Sequence, residues 1–201
     1  MNKYHRYINL PFSLEMPAKF KDSADSFICY MGEDVITKEL STWAANYNLK
    51  ISNVIEGFYS KPNGGVPLHN DVPHKPGELD AVKLNFTWGP ANSVTRWYHV
   101  NDEHLIEMIH DQNEVNEELK QAGIEPDIQC DKCYVADRDN ATLVYEQVIN
   151  KPSILNVGYL HDTHNPSEQH RWTLSFTLLN QDNSHLTFDK ALEVFAECLS
   201  E

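Results

Sequence analysis

The residues best suited to chemistry lie far apart in a chain of 201 residues. His69-Asn70-Asp71 sets an imidazole and a carboxylate two positions apart. In an extended strand, residues i and i+2 project from the same face, so both side chains can converge on one point. A third donor, His161, ends the run Asn156-Val157-Gly158-Tyr159-Leu160. Two imidazoles and one carboxylate form the facial ligand set of non-haem Fe(II), which leaves positions open for a co-substrate and O₂. H-x-D alone is common; the reading depends on His161 joining it. Further on, Arg171 and Thr173 share a strand face. A buried guanidinium needs an anion, and its planar fork fits a carboxylate through two hydrogen bonds. Beside an iron centre, such a pair would hold the far carboxylate of a dicarboxylate whose near end chelates the metal.

Strand patterns dominate the segments that must position these groups. Residues 51–59, 66–72, 82–88, 94–100, 141–148, 153–160 and 171–179 are rich in β-branched and aromatic residues and are bounded by turn residues. Gly89-Pro90-Ala91-Asn92 reads as the turn of a hairpin joining 82–88 to 94–100. The opening residues 7–12 suit a short edge strand ended by Pro11. A hairpin of 156–161 with 171–176 would put His161 and Arg171 on neighbouring strands. Helices are expected at about 34–49, where Ile36, Leu40, Trp43, Ala44 and Tyr47 form one stripe, at 102–122, and at 187–200 behind a Thr187 cap. Strands do not alternate with helices as a parallel sheet requires. The pattern therefore predicts a mainly β jelly roll with flanking helices, a single domain over 1–201 with its core at about 51–179.

His69-x-Asp71, then His161, then Arg171-x-Thr173 resembles the H-x-D…H…R-x-S/T signature of the Fe(II)/2-oxoglutarate-dependent oxygenases, in particular small bacterial and phage-type members. It is also similar to the aspartyl/asparaginyl hydroxylase branch, which often lacks the carboxylate retained here as Asp71. The resemblance spans roughly 51–179. It implies a double-stranded β-helix, cupin-like in architecture, with metal ligands His69, Asp71 and His161 and the co-substrate salt bridge at Arg171, aided by Thr173. It further implies that O₂ drives decarboxylation of 2-oxoglutarate to succinate and CO₂ while a substrate is hydroxylated.

His164 and His170 follow His161 closely and compete with it as distal ligand, the spacing to Arg171 favouring His161. Asn85 shares a strand face with Lys83 and Thr87; it either hydrogen-bonds the co-substrate or is an amide satisfied by backbone. His74 reads as a loop histidine. Arg96, Trp97 and Tyr98 read as packing, and Arg6 and Arg138 as solvated charges.

Lys and Arg number 16 against 30 Asp and Glu, a formal net charge of −14. That charge repels phosphate backbones, so nucleic acid is an unlikely substrate and a protein side chain or small molecule is the expected one. There is no stretch near the roughly 18 apolar residues of a membrane span. The first residues lack an apolar export core, and four cysteines then suggest reduced thiols in the cytoplasm. Cys130-Asp131-Lys132-Cys133 supplies half of a four-coordinate zinc site and otherwise reads as a surface turn. The segments 102–122 and 123–140 are expected over the pocket mouth. Two rival functions share this sequence pattern: a jelly-roll binding module without catalysis, and a cupin-type metalloenzyme that uses no oxo-acid.

Overall fold

In the computed structural model, the described residues are 2–21, 28–109, 117, 119–121, 123–128 and 132–200. Alternating side chains drive them into strands β1 (His5–Ile8), β2 (Ile28–Met31), β3 (Lys50–Ser60), β4 (Gly65–His69), β5 (Val82–Trp88), β6 (Val94–Val100), β7 (Ile106–Ile109), β8 (Lys132–Val135), β9 (Ala141–Val148), β10 (Ser153–Asn156), β11 (His161–His164), β12 (Arg171–Leu179) and β13 (Leu199–Ser200). Two α-helices, α1 (Lys38–Asn46) and α2 (Phe188–Val194), accompany them. One sheet runs β13-β1-β10-β5-β12-β3-β2 and the other β7-β8-β4-β11-β6-β9, all neighbours antiparallel. The inner sets β10-β5-β12-β3 and β9-β6-β11-β4 interleave along the chain. This is the strand order of a double-stranded β-helix, the jelly roll that the sequence predicted.

The period of two divides the first sheet into an apolar and a polar face. Leu84, Phe86, Leu174, Phe176, Leu178 and Ile55 point to one side, where α1 and α2 cover them with Leu40, Trp43, Phe188 and Ala191. Each large side chain buried there contributes roughly 1.5–3 kcal/mol. Thr37 caps α1 by accepting the Leu40 N–H at 3.2 Å, and Thr187 caps α2 by accepting that of Lys190 at 3.3 Å. On the opposite face, cross-strand rows are largely polar: Leu155–Lys83–Thr177, Ser153–Asn85–Ser175–Glu56, Thr87–Thr173–Phe58 and Arg171–Ser60. The main apolar core thus lies outside the roll, under the helices, and leaves the interior free for polar chemistry.

Four local expectations are corrected. Residues 82–88 and 94–100 are strands at those bounds, but β5 and β6 belong to different sheets and form no hairpin. The turn between them crosses the roll through Gly89 at φ 123°, where a Cβ would lie 2.5 Å from the His170 carbonyl. Within 102–122, a 3₁₀ turn at Asp102–His104 leads into β7 instead of a helix. Ile106 and Met108 alternate with Glu107, which accepts hydrogen bonds from Lys132 (3.1 Å) and Tyr134 (2.7 Å) of β8. Residues 117 and 119–121 are helical, and the rest of that stretch lies outside the described residues. At the C-terminal end, the helix stops at Val194 and Leu199–Ser200 pairs with β1, so the expected edge strand has a neighbour on each side. Finally, the 153–160 strand ends at Asn156, and His161 opens a strand instead of closing one. Among the described residues, no helix is long and apolar enough to cross a membrane.

Candidate metal centre

His69 is the last residue of β4, His161 the first of β11, and the two are cross-strand partners. Register slips by one residue beyond this pair, so that Thr163 faces Val66. A bulge of this kind re-aims side chains at a strand end. Gly65 permits the close approach, since a Cβ there would lie 1.9 Å from the Thr163 carbonyl oxygen. Asp71 lies beyond the end of β4, in a turn pinned by the fully buried Asn70. The Asn70 side chain accepts the Tyr134 N–H at 2.7 Å and donates to the His74 carbonyl at 2.8 Å, while the Asp71 N–H reaches the Val157 carbonyl at 3.1 Å. The middle residue of H-x-D is therefore a structural anchor.

The donor atoms of His69, Asp71 and His161 all lie within 4.8 Å of one another. Asp71 Oδ1 is 2.9 Å from His69 Nε2 and 3.9 Å from His161 Nε2. Each imidazole donates its Nδ1–H to the carbonyl two residues earlier, Pro67 at 2.7 Å and Tyr159 at 3.0 Å. Such outer bonds fix the tautomer and leave the Nε2 lone pair free to ligate. Ligand atoms about 2.0–2.2 Å from a divalent ion sit roughly 3 Å apart, so the cluster suits such an ion after sub-ångström to ångström adjustment. Burial pushes His161 down to about 4, keeping it neutral and ligand-competent at neutral pH. For His69 burial is the largest influence and acts in the same direction, but the hydrogen bond to Asp71, the charge of that carboxylate and the Pro67 carbonyl together outweigh it, and its pKa is raised. Burial would raise Asp71; Lys83 and His161 together hold it well below the usual carboxylate range.

Arg171 opens β12, its side chain facing the same cavity as the three donors. It is 2% exposed, and among the described residues no carboxylate comes within ion-pair distance. Its Nε has no hydrogen-bond partner. Burial pulls the guanidinium down to about 10, which leaves it cationic at neutral pH. Thr173 and Asn85 line the cavity beside it, together with Thr95, Thr163 and Ser175. Asn85 accepts the Ser175 hydroxyl at 2.8 Å through Oδ1, so its NH₂ group is directed elsewhere than to Ser175. The cavity is partly open, with a volume of about 30 Å³.

His161 and Arg171 are not hairpin neighbours as the sequence suggested. β11 pairs with β4 and β6, while β12 lies in the other sheet, so the two residues face each other across the roll. The loop between them is tied by Asn165, which donates to the carbonyls of Gln169 (2.7 Å) and Lys61 (3.1 Å). His74, His164 and His170 do not line the cavity. His170 stacks on Tyr59 and lies tilted against Trp172 instead. Trp97 is fully buried and Arg96 pairs with Glu146 at 2.5 Å, whereas Arg138 bonds the buried Asp162 and is more than a solvated charge. The described residues of 102–140 do not line the cavity; β7 and β8 extend the second sheet beside β4, while Leu119 and Ile124 pack on Val54 of β3. Cys133 sits buried in β8 and not in a surface turn, its thiol pushed up to about 11 by burial, while Cys130 lies outside the described residues.

Sequence reasoning passed over Lys83 and Glu56. The Lys83 ammonium is buried between Asp71 Oδ2, at 2.9 Å, and the Glu56 carboxylate. Burial would lower its pKa, but the two acids outweigh it and raise it. The available signal was its place on the Asn85 face, in a strand with apolar residues on the other face.

Neither a protein-family model nor a curated protein matches the sequence. Among solved structures, the chain is similar to EvdMO1 at 20% identity and a TM-score of 0.36, covering 74% of this chain and 32% of that one. It thus spans about a third of the length of EvdMO1. AviO1 from Streptomyces viridochromogenes Tue57 aligns at 18% identity and a TM-score of 0.40, over 89% of this chain and 75% of that one. An oxalate oxidase in complex with the substrate analogue glycolate aligns at 9% identity and 0.30, over 85% and 72%. These are likenesses of chain path, and no chemistry is transferred from them.

Proposed function

We propose that the chain is a metal-dependent oxygenase that binds Fe(II) through His69, Asp71 and His161 and takes 2-oxoglutarate as co-substrate. The observation that carries this reading is Arg171: a buried cation with no acid beside it among the described residues, opening onto the cavity that also holds the three donors. An isolated buried charge is costly, and a ligand carboxylate would satisfy it. Arg171 would bind the far carboxylate through its fork, with Thr173 donating a hydroxyl and Asn85 an amide N–H. His161, neutral through burial, and His69, which would give up its Nε2 proton to the ion, would ligate from one side of the cavity with Asp71. Bound Fe(II) would supply the O₂ chemistry that decarboxylates the co-substrate to succinate and CO₂. The polar walls would orient the co-substrate, and the surrounding sheets would exclude water.

The substrate that fits the net charge of −14 is a protein side chain or a small molecule in preference to a nucleic acid. The free thiols of Cys133 and Cys198 accord with a reducing cytoplasm.

A second reading, a cupin-type metalloenzyme without an oxo-acid, is favoured by the cavity volume. About 30 Å³ holds one or two waters, which is less than a dicarboxylate occupies. Succinate release from 2-oxoglutarate, with Fe(II) and ascorbate, separates the two. The first reading expects succinate and 2-oxoglutarate binding that requires Arg171; a protein that binds metal but not 2-oxoglutarate supports the second.

A further inference from the structure

We propose that Lys83 is a positioning residue of the metal centre, holding Asp71 so that a single carboxylate oxygen faces the two imidazoles. This rests on the metal-centre reading above. The Asp71 carboxylate is divided: Oδ1 lies 2.9 Å from His69 Nε2, and Oδ2 lies 2.9 Å from Lys83 Nζ. Lys83 is in turn gripped from β3 by Glu56, and its side chain is only 4% exposed. Backbone geometry reinforces the grip, because Lys83 is fixed within β5 between Leu155 and Thr177.

The fold alone does not call for this lysine. Burying an ammonium between two acids is often no more stabilising than packing an apolar side chain of similar size. The arrangement instead has a consequence for ligation. With Oδ2 occupied, Asp71 offers one ligand atom, so the three side chains fill three positions of a six-coordinate ion. Three positions then remain, enough for a two-atom chelator and a further small ligand. Released from Lys83, Asp71 can rotate and offer both oxygens, closing one of those positions. Loss of the ammonium also removes a positive charge beside the ion, so metal affinity itself is maintained.

The test compares wild type, Lys83→Met and Glu56→Gln, with Co(II) as the metal probe and oxalate as the two-atom chelator. Calorimetry gives both affinities, the visible Co(II) spectrum reports coordination, and thermal melting reports folding. Lys83→Met is expected to bind Co(II) within about threefold of wild type, to bind oxalate at least about tenfold more weakly, and to shift the Co(II) spectrum. Glu56→Gln, which loosens the grip on Lys83, is expected to fall between the two. Unchanged oxalate affinity in Lys83→Met, or loss of Co(II) and oxalate together, overturns the assignment. If Lys83→Met does not fold, Glu56→Gln decides: weaker oxalate with Co(II) retained supports the role, and unchanged oxalate overturns it. A wild-type protein that takes no Co(II) overturns the metal-centre reading itself, a distinct result.

Discussion

His69 and His161 face each other directly across β4 and β11, ring centroids 4.7 Å apart. Each ring is held by the same device, an Nδ1–H bond to the carbonyl two residues before it. Two distant sequence segments therefore bring their Nε2 atoms to Asp71, 2.9 Å from Oδ1 for His69 and 3.9 Å for His161, and the register slips just beyond the pair.

Arg171→Met separates binding from stability. Replacing a buried cation that lacks a partner with an apolar chain removes a desolvation cost, so the melting temperature is expected to stay level or rise. Affinity of the metal-loaded protein for 2-oxoglutarate is expected to fall at least about 30-fold, while metal affinity is retained. A destabilised variant that still binds 2-oxoglutarate would contradict this assignment.

Gly65→Ala probes the approach of β4 to β11. The added Cβ would lie 1.9 Å from the Thr163 carbonyl oxygen, so the strands must part. The cost to folding is expected to be about 1–3 kcal/mol, with weakened metal binding as the His69–His161 register opens. Denaturation and metal titration of the same preparation check both effects; undiminished metal affinity would show that the register is not critical.

His5 gives a pH dependence away from the metal site. It is 4% exposed, and burial, aided by Arg6, lowers its pKa to about 4. Between about 6.5 and 4 the unfolded chain takes up the proton and the folded one does not, so this group removes stability as pH falls through that window. From pH 6.5 to pH 5 the loss is about 2 kcal/mol at 1.4 kcal/mol per unit. His5→Asn is expected to flatten the curve by that amount in urea denaturation at several pH values. A variant whose stability falls with pH as steeply as wild type would refute it.

Much of the site was legible because side-chain alternation is a local property. The Lys83–Asn85–Thr87 face and the Arg171–Thr173 face followed from period two alone, and both line the interior. What period cannot reveal is which strand lies beside which. The turn at Gly89 looks like a hairpin locally but crosses between sheets, and the same ambiguity put His161 beside Arg171 when they face each other across the roll. The helix expected over 102–122 gives way at its start because Ile106-Glu107-Met108 fits either period, and pairing with β8 decides in favour of a strand there, while 117 and 119–121 are helical. Lys83 was missed since its meaning depends on Glu56 and Asp71, which are far from it in sequence.

Anaerobic calorimetry of Fe(II), followed by 2-oxoglutarate, on wild type and His161→Ala tests the central claim most directly. One Fe(II) per wild-type chain is expected, with 2-oxoglutarate binding only to the loaded protein, and with both events lost in His161→Ala. Absence of Fe(II) binding in wild type, or Fe(II) binding undiminished by His161→Ala, would contradict the proposed centre.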